Sequence, residues 1–209
     1  MPDDLRFIEI EHKFLVGDDF DLTRFRATIQ RLHPTRTIAL RVRDRYFLTE
    51  AGRRGRFVLR HRYDPQLHHL TLKSLGRDTE VRSEVNLDLG HHAGDQASAV
   101  DAFVDRLGVT WSGVIIKDLT VWDFPDMEVA HYRASTGSRA VECVEFEATR
   151  KQSPAAALRT VERYERATGF GGATRSRRSL PQILFPEIAT ALAGEPGERS
   201  DDRKDRGAP

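Results

Sequence analysis

The chain has 209 residues, enough for one substantial domain with its own core and too few to demand two. Its 33 basic and 32 acidic residues nearly cancel, to a formal charge of +1, so the basic surplus of a general nucleic-acid binder is absent. The lone cysteine, Cys143, excludes an internal disulfide framework and a Cys-rich zinc site, and no apolar run reaches the length of a membrane span. The N-terminus, "MPDDLRF", lacks the pattern of a signal peptide, and the expected location is the cytoplasm.

The first element is a strand. In "FIEIEHKFLV" (7–16), Glu9, Glu11 and Lys13 fall on one side, and Ile8, Ile10 and His12 on the other. Residues 21–33 follow an acidic stretch that can cap a helix, and Leu22, Phe25, Ile29 and Leu32 recur at helical spacing. Four strand-like runs come next (40–49, 56–64, 69–75 and 80–89), divided by the turn signals "EAGRRG", "DPQ" and "GRD". A second helix is expected over 95–107, stopped by Gly108. Strands follow at 113–123, 126–134 and 139–149, then an amphipathic helix over 153–170 with Ser153 as cap and Pro154 in its first turn. A short element opens at "SRRSLPQILF" (176–185). From Gly194 onward the chain is polar and aromatic-free, which predicts one domain over 1–193 and a disordered charged tail over 194–209. About eight strands with few long helices predict an α+β fold: an antiparallel sheet or closed barrel with helices packed outside.

The charged face of the first strand repeats. Arg60 and Arg62 share a face, and Lys73 sits between Leu72 and Ser74. Arg82, Glu84, Asn86 and Asp88 align, as do Glu145 and Glu147; Arg41, Arg43 and Arg45 also align. A single strand of this kind is most simply a wet face, with cross-strand ion pairs worth a few tenths of a kcal/mol each. The set is sorted, however: carboxylates lie at both ends of the strand series and cations between them. If that face closes inward, a carboxylate cluster confronts a basic cluster, and buried charge needs partners. A hard divalent metal would satisfy the first and a polyanion the second.

These residues resemble the CYTH superfamily, also called triphosphate tunnel metalloenzymes. "EIEHK" is similar to its ExExK signature, "VLRHR" to its LRxR strand, "TLK" to its lysine strand, "VRSE" to its RxE strand, "VEFE" to its late ExE strand and "RRSL" to its terminal basic-Ser segment. The resemblance implies an eight-stranded antiparallel β-barrel forming a tunnel, with a triphosphate or polyphosphate small molecule as substrate. It implies Mg²⁺ or Mn²⁺ on Glu9, Glu11, Glu145 and Glu147, with Glu84 a further ligand. It makes Lys13, Arg60, Arg62, Lys73 and Arg82 phosphate binders, joined by Lys117 and Arg178, with Arg41 and Arg43 as additions. Glu147 or Glu84 would orient an attacking water, and Lys13 belongs to the catalytic set as well as to the grip.

The expected activity is hydrolysis of inorganic tripolyphosphate or of an organic triphosphate such as thiamine triphosphate or a nucleoside triphosphate. A non-catalytic phosphate-binding module and an adenylyl cyclase of the class IV type are the alternatives. No nucleic-acid or membrane partner is expected, and the sequence leaves room for a homodimer. Two departures bear on turnover. Leu119 stands where the second cation of a basic-x-basic pair is usual, and His131 falls where an aspartate is common, with Glu128 expected on the opposite face.

Other features have plain readings. The "HH" pairs at 68–69 and 91–92 lie near predicted turns and are expected to be solvated, whereas Trp111 and Trp122 are expected to pack. Cys143 is expected to pack as a small apolar group, or by parity with Glu145 to face the interior.

Overall fold

In the computed structural model, which describes residues 5–64, 67–75, 80–90 and 96–193, eight antiparallel strands close into a barrel. They are β1 (Ile8–Val16), β2 (Arg36–Thr49), β3 (Phe57–Tyr63), β4 (His68–Ser74), β5 (Val81–Asp88), β6 (Val109–Asp123), β7 (Met127–Ser135) and β8 (Ala140–Ala148). The order round the ring is β1-β5-β4-β3-β2-β6-β7-β8, and β8 pairs with β1 to complete it. The helices are α1 (Leu22–Arg31), α2 (Glu50–Gly55), α3 (Gln96–Asp105), α4 (Pro154–Thr168), α5 (Leu180–Leu184) and α6 (Pro186–Ala193). The tail from 194 lies outside the described residues, as do His91 and His92.

The barrel is wrapped unevenly, and that decides which face of each strand is apolar. α1 and α4 cover β1, β7 and β8. Asp21 caps α1 by accepting the Arg24 N–H at 2.8 Å, and Ser153 caps α4 by accepting from Ala156 at 3.1 Å. α4 ends at Gly169, whose φ of +89° is a left-handed cap that only glycine adopts without strain. Between these helices and the barrel lies a core that includes Ile10, Phe14, Phe25, Trp122, Val129 and Phe146. Each of these side chains contributes about 1.5–3 kcal/mol by leaving water. The inward positions of β1 are consequently Glu9, Glu11 and Lys13.

α3 covers a smaller patch, with Val100 and Val104 against Phe47 and Leu70. α5 and α6 close one end of the barrel, where Leu180, Leu184 and Ile188 pack on the inward residues Tyr46, Val58, Leu75 and Ile115. The six-residue α2 stands where the sequence read only a turn, capped by the Thr49 hydroxyl accepting from Gly52.

Candidate active site in the barrel

Inside the barrel is a cavity of about 270 Å³, walled mostly by charge. Alternation along each strand puts Glu9, Glu11 and Lys13 of β1, Arg60 and Arg62 of β3, and Lys73 of β4 on its wall. Arg82 and Glu84 of β5, Lys117 of β6, and Glu145 and Glu147 of β8 complete the set the sequence singled out there. Three predicted residues lie elsewhere. Arg41 and Arg43 are exposed on the outer face of β2, and Arg41 lies 3.6 Å from Asp118 there. Arg178 is also exposed and donates to the Gln182 carbonyl at 2.6 Å.

The interior charges hold one another. Arg82 bridges the two β1 carboxylates, its Nε on Glu9 and its Nη2 on Glu11 at 2.5 Å. Lys73 Nζ lies 2.6 Å from Glu84 and 3.2 Å from Glu9. Lys13 Nζ lies 2.9 Å from Glu145 and 3.4 Å from Glu11. Arg60 donates to Thr71 at 3.2 Å and to Glu84 at 3.4 Å. On the far wall Arg62 and Lys117 meet a residue absent from the predicted set, Asp44, which is completely buried.

The acids are not equivalent. Burial pushes Glu9 up, but Arg82 and Lys73 outweigh it and hold the carboxyl well below its usual range. Burial also pushes Glu145 up, and Lys13, Lys117 and the Tyr132 hydroxyl outweigh it, bringing it down to about 2. Glu147 goes the other way. It is half-buried, with Glu9, Glu11, Glu128 and Glu84 around it and no cation paired with it among the described residues, so desolvation and those neighbours raise its carboxyl well above normal.

Glu9, Glu11 and Glu147 can each bring one oxygen within 4.8 Å of the others. Three hard oxygen donors at the point where carboxylates repel most fit a divalent cation, which would relieve the repulsion that burial intensifies.

The structure changes the reading of β7. Glu128, not His131, faces the cavity, together with Ala130 and Tyr132. His131 points outward, 2.7 Å from Glu142 and stacked on Phe20. Burial, then Asp123 and Glu145, raise Glu128 to about 7. The histidines of 68–69 are likewise not turn residues: both belong to β4, and His68 is buried against His61. Leu119 does line the cavity, opposite Tyr132 in register, and Lys117 Nζ lies 5.0 Å from the centre of that ring. Trp111 and Trp122 pack, and Cys143 is buried on the inner side. Strict alternation from the buried Tyr46 would have found Asp44, and alternation from Met127 and Val129 would have found Glu128.

The CYTH domain family matches residues 8–179, a span that contains every strand and the whole acidic and basic lining. The chain belongs to the CYTH family. Among solved structures, the PH1012 protein of Pyrococcus horikoshii OT3 is 19% identical with a TM-score of 0.66, over 84% of this chain and 99% of that one. A conserved hypothetical protein of Pyrococcus furiosus is 22% identical with a TM-score of 0.60, over 84% and 99%. The PH1819 protein of Pyrococcus horikoshii OT3 is 16% identical with a TM-score of 0.60, over 86% and 99%. At these identities the likeness is one of fold. No curated protein matches the sequence. Among the described residues of this CYTH chain, no helix is long and apolar enough to cross a membrane.

Proposed function

We propose that this CYTH chain is a divalent-metal-dependent triphosphatase that cleaves a phosphoanhydride bond in a small molecule carrying a triphosphate. The observation behind this reading is the segregation of charge in one cavity. Glu9, Glu11 and Glu147 gather on β1 and β8, while Arg60, Arg62 and Lys117 lie across from them on β3 and β6.

Mg²⁺ or Mn²⁺ held by Glu9, Glu11 and Glu147 would supply charge neutralisation at phosphate oxygens and a more acidic water. Arg60, Arg62 and Lys117 hold the phosphate chain by charge-assisted hydrogen bonds. Lys13, Lys73 and Arg82 are pinned by the wall carboxylates, and meet the charge that develops on the leaving oxygen. A wall carboxylate, Glu147 or Glu84, orients the attacking water. Leu119 leaves one wall position without a cation, which favours a shorter grip on the phosphate chain.

The test is to incubate the purified protein with Mg²⁺ or Mn²⁺ and tripolyphosphate, ATP or thiamine triphosphate, and to measure orthophosphate, pyrophosphate and cyclic AMP. Metal-dependent orthophosphate release is expected. Cyclic AMP with pyrophosphate from ATP would instead indicate a cyclase. Tight tripolyphosphate binding with no product from any substrate would indicate a binding module, the reading that Leu119 supports.

A further inference from the structure

We propose that Asp44 is a positioning residue of the phosphate grip, fixing Arg62 and Lys117 as a rigid cationic pair on the wall opposite the acidic cluster. This rests on the triphosphate reading of the cavity.

β2 is four strands from β1 in either direction round the ring, so Asp44 faces the ExExK strand across the cavity. Its carboxylate accepts from Arg62 Nε at 2.7 Å and from Nη2 at 2.8 Å, the side-on geometry that fixes a guanidinium plane. Lys117 Nζ lies 3.5 Å from the same group. Arg62 comes from β3 and Lys117 from β6, the two neighbours of β2, so Asp44 is a crosspiece between the strands on either side of its own.

Two consequences follow from the chemistry. Arginine carries five N–H donors and Asp44 takes two, so Arg62 keeps donors for a ligand while its plane is set in advance. The other carboxylates on the wall, Glu9, Glu11, Glu84, Glu128, Glu145 and Glu147, lie on β1, β5, β7 and β8. A cation bound among them competes for those groups and leaves Asp44 with Arg62 and Lys117. An arginine anchored in this way has lost its rotamer freedom before a phosphate arrives; a free one must lose it on binding.

A purely structural Asp44 would cost stability when removed and nothing specific to phosphate. A positioning Asp44 costs affinity, and most of that loss requires Arg62 to be present. Because it lies across the cavity from the acidic cluster, the loss falls equally on ground and transition states, which raises KM and spares kcat.

The experiment measures tripolyphosphate affinity by calorimetry, and KM and kcat with Mg²⁺ or Mn²⁺. It uses wild type, Asp44→Asn, Arg62→Met and the double variant. Asp44→Asn is expected to raise Kd and KM about tenfold with kcat within about twofold, and to add a smaller loss, through Lys117 alone, in the Arg62→Met background. Unchanged or tighter binding, or an equal loss in both backgrounds, overturns the proposal. Should Asp44→Asn fail to fold, Asp44→Glu keeps the charge and shifts the anchor by one methylene. A KM or Kd rise of about threefold is then expected, and an unchanged value overturns the proposal. Wild-type protein that neither binds nor cleaves tripolyphosphate, ATP or thiamine triphosphate overturns the triphosphate reading and this role together. Wild-type binding with an indifferent Asp44→Asn removes only this role.

Discussion

Glu128 and Glu147 stand directly opposite each other in the register of β7 and β8, with both carboxyls on the cavity wall. Two acids at one level of a buried interior repel. Burial and its acidic neighbours raise Glu128 to about 7, and Glu147 is raised well above normal. Between pH 4.5, the ordinary Glu value, and about 7, the native state therefore binds more protons at Glu128 than the unfolded chain does. Stability falls as pH rises through that window. Glu128→Gln removes Glu128's share of the fall and is expected to stabilise the chelator-treated protein by about 1–3 kcal/mol at pH 8, with little gain at pH 4.5. Thermal melts at the two pH values check it. Added Mg²⁺ is expected to raise the wild-type melting temperature, closing part of the gap.

Glu9→Gln has the opposite sign. Glu9 holds Arg82 and Lys73, and those cations outweigh burial to keep its pKa well below normal, so its contribution is present above the ordinary Glu pKa and lost as pH falls through the lower native value. The substitution keeps one oxygen and loses the charge, leaving the buried Arg82 and the half-buried Lys73 underpaired, at an expected cost of about 1–3 kcal/mol at pH 7. Denaturant midpoints at pH 7 check it, and the same variant is expected to lose metal-dependent phosphate release.

His61 sets a second pH dependence, outside the cavity. It is buried on the outer face of β3, and among the described residues neither ring nitrogen has a hydrogen-bond partner. Burial, then Arg45 and His68, push it down to about 4; Asp101 opposes them weakly, and Arg43 adds to the lowering. The unfolded chain therefore takes up a proton near pH 6.5 that the native state refuses until about pH 4, so stability falls as pH drops through that interval. His61→Leu is expected to flatten the fall in melting temperature between pH 7 and pH 5, with a small change at pH 7. An equally steep fall in the variant would contradict the assignment.

Arg41→Ala with Arg43→Ala removes two cations from the outer face of β2. Arg60→Met removes one from the wall, where it is buried. The double variant is expected to keep wild-type tripolyphosphate affinity, and Arg60→Met to lose about 10–100-fold, as for a buried charge-assisted contact. Calorimetric titration of both proteins separates the two faces.

That difference between β2 and β3 marks where the sequence could be read and where it could not. On β1, β3 and β5 the charges share a parity, as Glu145 and Glu147 do on β8 with Glu142 at its outer end, so facing followed from alternation once the barrel closed. β2 breaks the pattern. Its arginines outnumber its one acid, yet the outer face near Arg41 and Arg43 is solvated, and the single Asp44 is the inward residue. β7 fails for a related reason: its outward Met127 and Val129 are apolar because α1 and α4 cover them, while its inward side mixes Glu128 with the small Ala130. In a barrel with a polar interior and a helix-covered exterior, apolar character does not separate inside from outside. α2 and α6 were not legible because runs this short are set by their packing and caps, not by periodicity.

The most direct measurement is orthophosphate release from tripolyphosphate as Mg²⁺ or Mn²⁺ is titrated, for wild type and for Glu11→Gln. The account predicts release that rises with metal and saturates in the wild type, and its loss in the variant. No release by wild-type protein at any metal concentration, or undiminished release by Glu11→Gln, would contradict it.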